Sequence, residues 1–92
     1  MSVCPHTQGY VIHGIYEAFE KATKVLEDGN SNLANFFLEK IVQKLRSLAG
    51  TRLLSENNAS MIAHELTEKI REMNLKFSET TIDALEDVIN II

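Results

Sequence analysis

The sequence predicts an all-α protein, either a small antiparallel four-helix bundle or a pair of helical hairpins. Three observations carry that reading. Apolar residues recur at three- and four-residue spacing in four successive segments. Gly, Asn and Ser fall between those segments, where helices stop and start. No segment alternates apolar and polar residues with the period of two that a half-buried strand requires.

The first segment runs from about Tyr10 to Asp28, with Val11, Ile15, Ala18, Ala22 and Val25 on one stripe and Ile12, Phe19 and Leu26 widening it. His13, Glu17, Glu20 and Lys24 form its opposite face. Gly14, Ala18 and Ala22, four apart, make a smooth ridge along which another helix backbone could approach. Asp28-Gly29-Asn30 then supplies stop and turn residues. The second segment, about Ser31 to Ala49, opens at Asn30 or Ser31 and ends at Gly50, with Ala34, Phe37, Leu38, Ile41, Leu45 and Leu48 facing inward. Phe36 falls away from that face, among Asn32, Glu39, Lys40 and Gln43, with Leu33 nearby.

The third segment, about Glu56 to Asn74, starts from a Ser55 cap and carries a narrow stripe of Ala59, Ile62, Ala63, Leu66, Ile70 and Met73. The fourth starts from a Ser78 cap, with Glu79 and Asp83 at the positive helix end and Phe77 placed to staple onto Ile82. Ile82, Leu85, Val88, Ile89 and Ile92 make its apolar face. Short connections favour antiparallel neighbours. No repeat or linker divides the chain, so residues 1–92 are expected to form a single helical domain, with residues 1–9 loosely ordered.

The 92 residues are 45% hydrophobic and 24% charged, a composition with enough apolar surface to offset the entropy of ordering. A chain this short buries a modest share of its surface, so a homodimer that adds buried area is expected. The formal charge of −4 opposes generic nucleic-acid binding. Charge is uneven: residues 31–54 hold four bases against one acid, and residues 77–92 hold four acids and no base. One cysteine, Cys4, permits no internal disulfide, and no segment resembles an export signal or a membrane span, so the cytoplasm is the expected compartment and no membrane is expected as a partner.

Few constellations carry chemistry. Cys4 and His6, with His13 and His64, are zinc-ligand types, but their spacing matches no zinc motif and no metal or cofactor is expected. Phosphate-binding glycine loops, the nucleophile elbow and calcium loops are absent, and no enzymatic activity is expected. Met61-Ile62-Ala63-His64-Glu65-Leu66 resembles the phosphoacceptor region of two-component histidine kinases and, more loosely, that of histidine phosphotransfer domains. The resemblance implies that His64 would carry phosphate and Glu65 would assist proton transfer on a four-helix scaffold. The continuation Thr67-Glu68-Lys69-Ile70 departs from both families. Lys40, Lys44, Arg46 and Arg52 supply the basis of a second alternative, a small nucleic-acid-associated regulator.

Apolar residues off the main stripes point elsewhere. Leu33, Phe36 and Tyr16, together with Ile91 and Ile92, leave more apolar circumference than one small bundle is expected to hide. The expectation is a non-enzymatic regulatory or adaptor protein that binds another protein through a helical face around Leu33, Phe36 and Lys40, with Tyr16, Ile91 and Ile92 as further partner or dimer residues.

Overall fold

Four helices, α1 (Pro5–Glu27), α2 (Ser31–Leu48), α3 (Glu56–Glu72) and α4 (Glu79–Ile89), follow in chain order in the computed structural model, which describes the backbone of residues 5–92 and side chains from Gln8 onward. The α1–α2 turn is compressed into three residues. Gly29, at φ 93, donates to the Leu26 carbonyl and Asn30 to that of Val25, closing α1. The Asn30 side chain then accepts the Leu33 N–H at 3.3 Å and caps α2. One residue thus ends one helix and begins the next, which folds α2 back along α1. Ser55 and Ser78 cap α3 and α4 as their sequence positions predict.

Side chains fix how the helices run. Gln8 accepts from the Ser55 N–H and the Asn58 side chain, and Tyr16 reaches Glu65, so α1 and α3 are parallel. Asn35 accepts the Ser78 N–H at 2.8 Å, tying the start of α2 to the start of α4. The fold is an all-α four-helix bundle. Its core gathers Ile15 and Phe19 from α1, Leu38, Ile41 and Leu45 from α2, Ile62 and Leu66 from α3, and Leu85 and Val88 from α4. Each such side chain contributes about 1.5–3 kcal/mol of burial. Phe77 closes the end of the bundle, with its ring centroid 6.2 Å from that of Phe19.

Three expectations are corrected. Helix α1 begins at Pro5 rather than near Tyr10, so of the segment 1–9 expected to be loosely ordered residues 5–9 have helical backbone and residues 1–4 lie outside the described residues; proline suits the first helical position, where no N–H is needed. Met73, expected on the α3 stripe, is exposed at the helix end. Val42, assigned to no face, is buried, and Phe37 and Leu48 sit only half-buried, so α2 is rotated relative to the face expected of it. The polar residues drawn inside are satisfied: Thr23 and Thr67 donate to carbonyls one turn earlier, Ser60 donates to the Ile89 carbonyl at 2.6 Å, and the Thr81 hydroxyl shares a hydrogen bond with that of Ser78. No described helix is long and apolar enough to cross a membrane.

Candidate docking site

The orientation of α2 in the bundle positions the site. With Leu38, Ile41, Val42 and Leu45 turned inward, Phe37 moves to the edge facing α1, and Phe36 and Leu33 stand outward at 50% and 38% exposure. The Phe36 and Phe37 rings lie 6.3 Å apart at 51°, and the Lys40 ammonium sits 5.2 Å from the Phe36 centroid. Leu33, Phe36 and Lys40 therefore share one outward stripe of α2, as the sequence predicts, and Phe37 connects that stripe to the α1 side.

Beyond Phe37 lies a groove of about 250 Å³, open to solvent, between α1 and α2. Gly14, Ile15 and Ala18 form its α1 wall and Phe37 and Ile41 its α2 wall. The ridge of small residues expected on α1 is used at one end only: Ala22 is fully buried, whereas a Cβ at Gly14 would meet nothing within 4 Å. A glycine inside a helix costs about 0.5–1 kcal/mol relative to alanine, and here no neighbouring atom requires it. Its effect on the surface is to keep the groove deep.

Lys21, Lys40 and Lys44 rim the groove. Ion pairs among the described residues lie elsewhere, in His13–Glu17, His64–Glu68 and the Arg71 pairs with Glu68 and Glu86. Among the described residues, the three rim lysines thus have no carboxylate within ion-pair distance. In a chain of charge −4 they make a local positive border around an apolar floor.

Comparison with protein-family models, with curated proteins and with solved structures finds no match to this chain. The geometry alone must carry the functional reading.

The other candidate residues are dispersed. Tyr16, expected as a docking residue, is half-buried and joins α1 to α3: it packs against the core, its hydroxyl donates to the Glu65 carboxylate, and Lys69 stands 5.8 Å from its ring centroid. Burial, reinforced by the hydrogen bond and the charge of Glu65, pushes the Tyr16 hydroxyl above the usual tyrosine range. Ile91 is half-buried and Ile92 is 69% exposed beyond the end of α4, away from Phe36. His64 is exposed on α3, 4.0 Å from Glu68, while Glu65, the carboxylate beside it, is engaged by Tyr16. Arg46 and Arg52 are exposed but line no part of the groove. Cys4 and the His6 side chain lie outside the described residues, and among those described no three His, Cys, Asp or Glu side chains converge as a metal site.

Sequence reasoning named Gly14, Ala18, Phe37, Lys40 and Lys44 separately but did not join them, and it missed Lys21. The usable signal was the pairing of a small-residue ridge on one helix with lysines spaced by four on its hairpin neighbour.

Proposed function

We propose that this chain is a non-enzymatic regulatory or adaptor protein that acts by occupancy, docking a helix of another protein on the outer face of α2. The observation that carries the reading is the aromatic shoulder: Phe36 is half exposed, is held by Lys40 and continues through Phe37 into an apolar groove. Scattered single apolar residues need no partner, whereas a contiguous apolar strip bordered by charge has the composition of an interface core with its rim. Aromatic anchors at the centre of such a patch supply most of the binding energy. The reading includes a homodimer, with Ile91 and Ile92 as the residues a second subunit covers, and a cytoplasmic setting, in keeping with the single cysteine.

The test is fluorescence anisotropy with a labelled amphipathic helical peptide of leucines at helical spacing and glutamines elsewhere. The full-length protein should bind it saturably, and Phe36→Asp should weaken binding by roughly ten-fold or more. Far-ultraviolet circular dichroism should stay that of the native helical fold. Equal binding by wild type and a folded Phe36→Asp, or no saturable binding at all, rejects the proposal.

A further inference from the structure

From the groove beside Phe37 we infer the chemistry of the partner: an acidic amphipathic helix, seated with apolar residues between α1 and α2 and its carboxylates on Lys21, Lys40 and Lys44. The inference rests on the docking function just proposed and adds a charge sign and an anchor site to it.

Size argues for side chains as the occupant. A volume of about 250 Å³ falls below the roughly 300–1,000 Å³ of sites that enclose cofactors and drug-sized molecules. Gly14 to Lys21 on α1 and Phe37 to Lys44 on α2 each extend about 10 Å along their helices, two turns, which matches a pair of apolar side chains spaced by three or four on an incoming helix. Gly14 lets that helix come close, because its Cβ position is empty.

Charge argues for acid. The lysines border an apolar floor and none is paired with a described carboxylate, so an incoming glutamate does not have to displace one. A basic helix would set like charge against all three. The protein's own α4 is acidic, but its apolar face is occupied by Leu85 and Val88 in the core, so α4 of a second copy offers this groove a polar face only.

Three labelled probes of one design separate the outcomes: the glutamine peptide above, a version with glutamates flanking the leucines, and a version with lysines there; oleate is a fourth, non-peptide probe. The glutamate peptide should bind roughly ten-fold or more tightly than the lysine peptide, an advantage that salt diminishes. Gly14→Leu, which fills the floor, and the pair Lys21→Glu with Lys44→Glu should each remove that advantage, while the proteins remain folded by circular dichroism. Should the glutamine peptide bind through Phe36 while glutamate and lysine peptides bind alike, or while Gly14→Leu has no effect, the acidic-helix inference falls and the docking function stands. Loss of all peptide binding overturns both, and saturable binding of oleate without peptide binding reassigns the groove to an anionic amphiphile.

Discussion

The Lys40 ammonium stands 5.2 Å from the centroid of the Phe36 ring, one turn along α2. At an exposed site this contact contributes about 0.5–1 kcal/mol, enough to bias both side chains toward one arrangement and too little to support the fold. The pair therefore shapes a surface, and the core two residues further on does the stabilising.

That division gives a direct comparison. Phe36→Asp is expected to lower the unfolding free energy by about 0.5–1 kcal/mol, the size of the Lys40 contact it removes. Leu38→Ala, at a fully buried position, should cost about 2–5 kcal/mol. Urea denaturation followed by circular dichroism compares the two; similar losses would place Phe36 in the core.

Gly14→Ala should stabilise the protein by about 0.5–1 kcal/mol, because the added methyl gains helix propensity and meets no atom within 4 Å. A lowered denaturation midpoint would show that the groove closes in solution.

Tyr16 makes stability sensitive to alkali. Its hydroxyl is held above the usual tyrosine range in the fold, so the neutral form is favoured there relative to the unfolded chain. Its contribution is complete below about pH 10, the ordinary tyrosine value, and declines as pH rises above it toward the folded value. Tyr16→Phe should flatten that decline and remove the later-ionising step from the absorbance titration of the two tyrosines. Loss of a step at the ordinary tyrosine value, in place of the later one, would sever the link to Glu65.

Asn74 closes α3 at φ 54, donating to Arg71 while Leu75 donates to Ile70. In this left-handed position Asn74→Gly should be neutral or stabilising, and Asn74→Ala should cost about 1 kcal/mol. Identical thermal midpoints for the two variants would contradict the assigned backbone.

For the proposed homodimer, light scattering of the full chain should give twice the protomer mass, reduced to the protomer by Ile91→Asp with Ile92→Asp. A wild-type protomer mass at every concentration would remove the dimer and leave the α2 docking face intact.

The helix ends were readable because capping is local: Asn30, Ser55 and Ser78 act on N–H groups three residues away, and Gly29 and Gly50 adopt the positive φ their positions suggested. The exposure of Leu33 and Phe36 was readable for the same reason, since helical spacing fixes which residues share a face. What escaped depends on neighbours. Phe37 was placed inside because a helical stripe does not say where the next helix stops covering it. Tyr16 was placed on the surface because Glu65 is far away in sequence, and the vacancy at Gly14 exists only once α2 lies beside it. The early start of α1 was a different kind of miss, since Pro5 carried the signal for a first helical residue.

The connection from α2 to α3 is tied down by local hydrogen bonds and by one buried leucine. Gly50 donates to the Leu54 carbonyl at 3.0 Å, the Thr51 hydroxyl donates to that of Leu48 at 2.5 Å, and the Leu54 side chain is fully buried. A protease must draw its substrate into an extended strand, so cleavage there first demands extraction of Leu54, against about 1.5–3 kcal/mol of burial. Nicking does not easily part the two hairpins at this junction, and their susceptibility to digestion is shared.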